Sequence, residues 1–344
     1  MKLLIVTQKV DAKDPVLGFF HAWLEEFARQ CERVTVICLQ QGETHLPQNV
    51  TVHSLGKERR PSRVAYLWRL YQFVFRERKN YDAVLVHMNP EYVILCGPLW
   101  KMLGKRVALW YTHKAVNMRL RIAARWADKI FTASKESFRL PSKKLSVLGH
   151  GIDSELFARH PSHAPATRLL TVGRVSDAKD VRTLILGVGE VHEQQPEAPL
   201  VFDVVGGPAV RADECYLHEL ENLVASWELG GVVHFLGERT HTELPAIYAA
   251  YGLFLHASRT GSMDKVVLEA LAAGLPVLTS SEAYPGFPNV HRFTPGDPHD
   301  LARVIMKMIA EKPSAADAGH ARSFIRERYG LGTLIGKIVH ALEH

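Results

Sequence analysis

Arg259-Thr260-Gly261-Ser262-Met263-Asp264-Lys265-Val266-Val267-Leu268-Glu269-Ala270-Leu271-Ala272-Ala273-Gly274-Leu275-Pro276-Val277-Leu278 decides how the rest of this chain is read. It runs as a polar loop, a helix with its one acid at Glu269, and a Gly-Leu-Pro turn into an apolar strand. Backbone N–H groups at such a helix start lack internal partners and can hold a phosphate. Glu269, further along the helix, is placed to accept hydrogen bonds from a ribose. Together they predict a nucleoside-diphosphate site.

Outward from this stretch, short apolar runs alternate with longer amphipathic ones. In the first half strands are predicted at 3–7, 34–39, 50–54, 83–87, 106–111, 129–133 and 145–148, with helices at 19–30, 62–78, 91–103, 116–125 and 135–140. The second half repeats the rhythm, with strands at 168–172, 200–205, 232–236, 253–256 and 276–279. Its helices are predicted at 180–195, 212–227, 243–250, 265–273 and 298–310, and a last one at 318–343 is interrupted at 330–332. Such alternation specifies an α/β chain with two doubly wound parallel sheets, helices on both faces of each. The aperiodic, Pro-containing segment 158–165 separates them. The expected organisation is therefore a first domain over 1–160, a second over 161–325, and a terminal helix over 326–344.

Composition narrows the class. The chain has 344 residues, 47% apolar and 23% charged, which is globular and long enough for two cores. No apolar run approaches a membrane span. The opening Met-Lys-Leu-Leu-Ile-Val breaks at once into Thr7-Gln8-Lys9, too short for a signal peptide, so a cytoplasmic protein is expected. Cys31, Cys38, Cys96 and Cys215 lack the paired spacing of a zinc or redox motif and read as reduced, buried thiols. Residues 1–160 hold 26 Lys+Arg against 14 Asp+Glu, and the remainder 16 against 22, for +6 overall. A basic half joined to an acidic half points the first half toward an anionic surface or substrate.

A family resemblance rests on seven pieces in register. Leu170-Thr-Val-Gly-Arg-Val-Ser-Asp-Ala-Lys-Asp, Val204-Val-Gly-Gly-Pro, Val233-His-Phe-Leu-Gly and Leu268-Glu-Ala-Leu-Ala-Ala-Gly-Leu-Pro-Val lie in the second half. Ala127-Asp-Lys-Ile-Phe-Thr-Ala-Ser, Val147-Leu-Gly-His-Gly-Ile-Asp-Ser-Glu-Leu-Phe and Trp110-Tyr-Thr-His lie in the first. Taken together they resemble the retaining glycosyltransferases of family 4. The resemblance implies a GT-B fold, with two Rossmann-like domains facing each other across a cleft. It implies a metal-independent transfer of a sugar from a nucleoside-diphosphate donor, with UDP or GDP as carrier and no other cofactor. The acceptor would be a hydroxyl of a lipid-linked or saccharide molecule.

The same resemblance assigns residues. Arg174 and Lys179 would neutralise the departing diphosphate, a role that suits two cations at a strand's end. Gly173 and Gly206 would form the glycine turns of the donor site, and Glu238 and Arg239 would lie beside the base. Glu269 would bind ribose, with Ser262 capping the helix and Lys265 and Val266 completing the phosphate contacts. Gly18, before the first long helix, would add an amide to the diphosphate. His113 would meet the sugar, and His87 would share the acceptor-side rim. One departure stands out: Gly261 occupies the place of an acid that in the family contacts the transferred sugar. Asp264 is either its substitute or an acid that complements the helix dipole.

The segment 59–79 interleaves arginines with Tyr66, Trp68, Tyr71, Phe73 and Phe75. It resembles an interfacial membrane helix, with Lys/Arg for acidic headgroups. The plainer reading adopted here is that its apolar face covers the first sheet while its cations stay free for an anionic membrane surface. No nucleic acid is expected as partner. The alternatives to a transferase are a nucleotide-sugar epimerase of the same fold, or a non-catalytic protein that binds a nucleotide or an anionic surface.

Overall fold

The computed structural model describes residues 1–344 except 15, 16, 60, 61, 114, 160, 161, 163, 262 and 313. The chain forms two compact units, Met1–Gly151 with Leu331–His344, and Ile152–Gly330.

The first unit is built on seven parallel strands: β1 (Lys2–Val10), β2 (Arg33–Gln41), β3 (Val50–Ser54), β4 (Ala83–His87), β5 (Arg106–Trp110), β6 (Lys129–Thr132) and β7 (Leu145–Val147). Their order is β3-β2-β1-β4-β5-β6-β7. Leu3 through Val6 are all fully buried because the sheet is covered on both faces. The pleat sorts them: Leu3 and Ile5 face one helical layer, Leu4 and Val6 the other. The first layer is α1 (Phe19–Gln30) with α12 (Leu331–Glu343). The second is α2 (Arg63–Arg76), α3 (Pro90–Met102) and α4 (Met118–Trp126). Local chemistry starts these helices: the Ser62 hydroxyl caps α2 through Ala65 N–H, and Asn117 caps α4 through Leu120 N–H.

The second unit repeats the plan with six parallel strands: β8 (Arg168–Val172), β9 (Val201–Val205), β10 (Val233–Gly237), β11 (Leu253–His256), β12 (Val277–Thr279) and β13 (Val290–Arg292). Their order is β10-β9-β8-β11-β12-β13. One face carries α6 (Val181–Gln194), α7 (Arg211–Ser226) and α10 (Pro298–Glu311); the other carries α5 (Ser154–Ala158), α8 (Leu244–Ala249), α9 (Lys265–Ala273) and α11 (Ala315–Tyr329). In both sheets the order reverses beside the unit's first strand, between β1 and β4 and between β8 and β11. At such switch points loops diverge to opposite faces and leave a crevice at the strands' carboxyl ends.

Several expectations need correction. Residues 135–140 form turns rather than a helix, since the segment is short and Pro141 follows it. Helix α5 and strand β13 were not anticipated, and Cys215, expected to be buried, is exposed on α7 while the other three cysteines are buried. The units divide at Gly151 and Gly330, not after residues 160 and 325, because Asp153 caps α5 through Leu156 N–H and Phe157 is fully buried in the second unit's core. Among the described residues no helix is long and apolar enough to cross a membrane.

Candidate functional site

At the switch point of the second unit, loops after β8 and β11 meet the start of α9 around a cavity of ≈ 180 Å³. Its wall includes Gly173, Arg174, Lys179, Asp264, Lys265 and Val266. Every one of these was expected from sequence. The backbone explains why the loops converge. Gly173 N–H donates to the Val205 carbonyl at 2.9 Å, Val175 N–H to Gly207 at 3.0 Å, and Gly206 N–H to Gly237 at 2.9 Å. Gly206 has φ +135°, and a Cβ there would lie 1.9 Å from the Gly173 carbonyl oxygen. Only glycine permits that approach.

Lys179 ends a short turn, Asp177–Lys179, that Arg259 clamps. The Arg259 guanidinium pairs with Asp177 at 2.7 Å and Asp180 at 2.8 Å, and the Arg259 backbone N–H donates to the Ala178 carbonyl at 3.0 Å. The Lys179 ammonium pairs with Asp264, which also meets His256 Nε2 at 2.8 Å. His256 Nδ1 is 2.8 Å from Thr279 Oγ1. Burial works against ionising Asp264, but the His256 hydrogen bond and the Lys179 charge outweigh it and hold the carboxyl well below the usual range. Asp264 thus stays anionic and compensates Lys179. Arg174 is half exposed, with Asp213 at 3.6 Å as its nearest acid.

Lys265 opens α9, where the helix dipole disfavours a cation. Burial pushes its amine down to about 7, partly offset by Glu269 one turn on. Glu269 is not a surface acid: it is 4% exposed, and Tyr248 donates its hydroxyl to it at 3.1 Å. His241 Nε2 lies 3.8 Å from its other oxygen. Tyr248, His241 and Lys265 thus surround this buried carboxylate. Glu269 and Gly206 do not line the cavity itself, and neither do Glu238 and Arg239, which are exposed after β10. Gly261 adopts φ +67° with open space where a side chain would begin, so its left-handed backbone rather than crowding favours glycine. Ser262 lies outside the described residues.

The first unit gives a mixed result. His113, just after β5, is exposed, its Nδ1 accepting from Ala115 N–H at 3.1 Å. His87 is a core residue instead of a rim residue: it is 3% exposed, stacked on Phe20 at 4.3 Å, with Nδ1 3.3 Å from Thr7 Oγ1. Gly18 donates its N–H to the Asp14 carbonyl at 2.9 Å, so this amide is committed within its own loop. Arg259, His256, Tyr248 and Asp213 were missed because tertiary proximity alone brings them to the site. The pleat offered one usable signal. His87 shares parity with Leu85, which faces α1, and His256 shares parity with Phe254, which faces α9.

Two cations, an amine titrating near neutrality and a helix start around one cavity suit an anion of diphosphate type. Residues 166–311 match the family described as glycosyl transferases group 1. The sulfoquinovosyl transferase SQD2 of Arabidopsis thaliana is 25% identical over 263 residues, covering 70% of this chain and 46% of that protein. The D-inositol 3-phosphate glycosyltransferase of Corynebacterium glutamicum is 28% identical over 303 residues, covering 74% of this chain and 67% of that one. The chain thus spans about half the length of the first of these relatives. Anabaena HepE, solved in complex with UDP, superposes with a TM-score of 0.76 at 19% identity, with all of both chains covered. The chain therefore has the GT-B fold, and the match to the glycosyl transferases group 1 family lies within its second unit.

Proposed function

We propose that this chain is a retaining, metal-independent glycosyltransferase that moves a sugar from a nucleoside-diphosphate donor to a hydroxyl of a lipid-linked or saccharide acceptor. The observation that carries the reading is the gathering of Arg174, Lys179 and Lys265 around one cavity at the switch point of a domain of this family. Transfer breaks the bond between the sugar's anomeric carbon and the phosphate oxygen, so negative charge grows on the departing diphosphate. Fixed cations there are worth more in the transition state than in the ground state, which is the condition for catalysis. Arg174 and Lys179 take that role. Glu269 holds the ribose, Glu238 and Arg239 flank the base, and His113 is assigned to the sugar. HepE, a structural neighbour, was solved with UDP and with UDP-glucose, which supports UDP as carrier. The relative named for D-inositol 3-phosphate, a polyol, supports a hydroxyl acceptor.

Released nucleotide, measured across a panel of UDP- and GDP-sugars with a chelator present, tests the reading. At least one donor should be consumed, with the anomeric configuration of the product matching the donor's. Loss of all turnover on chelation, or an inverted product, would overturn the corresponding part. Arg174→Ala should then lower kcat/KM for the active donor by about 10²- to 10³-fold, the range seen when one transition-state charge contact is removed. An unchanged rate would remove Arg174 from the mechanism.

A further inference from the structure

The segment over 59–79 is not absorbed by the transferase reading. Helix α2 does cover the first sheet, through Leu70 and Val74, which are buried, with Tyr66 and Phe73 packed partly buried beside them. Its bulk is turned outward: Val64 is 76% exposed, Trp68 64% and Phe75 54%, with Leu67 and Tyr71 also open. Positions 64, 67, 68, 71 and 75 fall on one stripe of a helix. The stripe does not end with α2. The Tyr71 hydroxyl donates to the Leu95 carbonyl of α3 at 2.7 Å, and Arg119 of α4 pairs with Glu91 of α3 at 2.9 Å. These contacts lay the three helices side by side, and Met102 (85% exposed) and Met118 (68%) extend the apolar surface.

Charge on α2 and α4 has one sign. Arg63 and Arg76 of α2 and Arg119, Arg121 and Arg125 of α4 are exposed, and neither helix contains an acid. Helix α3 contributes Glu91 and Lys101, one of each sign. An exposed apolar patch of this kind marks an interaction surface, and its ring of arginines selects the partner. A second copy of the chain would set arginines against arginines. A nucleic acid would satisfy the arginines and leave Val64, Leu67, Met102 and Met118 without a favourable contact. An acidic lipid surface satisfies both, because aromatic and aliphatic side chains enter the headgroup boundary while cations meet phosphates.

We propose that the outer face of α2, α3 and α4 docks on an anionic lipid bilayer. Each of these helices follows a strand's carboxyl end, so Val64 and Met118 at their first turns lie on the rim that also carries His113. Docking would therefore bring that rim to the headgroup level, where a lipid hydroxyl is presented.

Co-sedimentation of the full chain with vesicles tests the proposal. Vesicles of phosphatidylcholine containing about one third phosphatidylglycerol should carry the protein down, and pure phosphatidylcholine should not. Trp68→Ser with Phe75→Ser should weaken partitioning at least about tenfold, and Arg121→Glu with Arg125→Glu should do the same. All four side chains are exposed, so melting temperatures and nucleotide affinity at the second unit should be unchanged. That control separates failure of docking from failure of the transferase reading. Equal binding to both vesicle types, binding to neither, or partitioning indifferent to both double variants would overturn the proposal. So would a concentration-dependent dimer that Trp68→Ser abolishes, or duplex DNA binding that survives the loss of Trp68 and Phe75.

Discussion

Lys265 is where the site's chemistry can be read through pH. Its amine is lowered to about 7 in the unliganded chain, first by burial, with Glu269 pulling the other way. A diphosphate placed beside it favours the charged form and raises that pKa on binding. The sign follows. Below about 7 the ammonium is already present and binding takes up no proton. Above 7 the free protein has lost the charge, so binding must recover a proton and affinity falls with rising pH, by at most about tenfold per pH unit for one group. A nucleotide sugar suits this test better than a free nucleotide, because its diphosphate charge is constant in this range. Titration calorimetry between pH 6 and 9 should show weakening above neutrality and proton uptake near pH 8 (both chosen around the shifted value), and Lys265→Gln should flatten the profile. A flat profile in the unmodified chain would remove Lys265 from the phosphate contacts. Asp264 bears on the same balance. It stays anionic beside Lys179, so the site holds one cation already paired, and a diphosphate entering it would compete with Asp264 for that cation.

Loops and strands set how accurately those side chains are placed. The carbonyl of Gly173 lies where a side chain on Gly206 would begin, at 1.9 Å. Gly206→Ala must separate the loops after β8 and β9, breaking the hydrogen bonds that aim Arg174. Strain of this kind costs about 1–3 kcal/mol, which in a domain of this size lowers the melting temperature by a few degrees per kcal/mol, roughly 2–4 °C. Nucleotide affinity should fall with it. Gly230→Ala is the control, since no atom lies within 4 Å of an added Cβ and its φ is unstrained; it should melt like the unmodified chain. If the two variants melt alike, the close approach does not constrain the site. Element by element, the sequence was readable where burial on both faces leaves uninterrupted apolar runs, as in β1 and β4. It was unreadable at β13, a three-residue edge strand of Val-His-Arg, and at α5, whose five residues give no helical period. The site divides the same way. Arg174, Lys179 and Lys265 were reached through the resemblance of local motifs to the family, whereas Arg259 and His256 act through contacts between separate loops that no local motif encodes. His87 was misplaced because a strand-end histidine can face rim or core, and its parity with Leu85 decides for the core.

At the scale of the whole chain, the first unit is completed by the last segment. Helix α12 belongs to it although all of 152–330 intervenes, and Leu331, Leu334, Ile335, Ile338, Val339 and Leu342 are buried against Phe20, Trp23, Leu24 and Phe27 of α1. At roughly 1.5–3 kcal/mol for each side chain, the six contribute on the order of 9–18 kcal/mol as an upper estimate. A typical domain has only about 5–15 kcal/mol of net stability. The first unit is therefore expected not to survive loss of α12, and to finish folding only after residues 331–343 have been made. The second unit contains its own sheet, both covering layers and the cation cluster within Ile152–Gly330, so it carries no such dependence. A chain ending at Gly330 should show the difference under limited proteolysis. Residues 1–151 should be digested rapidly, while 152–330 persists and is protected further by UDP through binding to its folded form. Persistence of residues 1–151 at the rate of the full chain would show that α1 and its sheet hold without their partner helix.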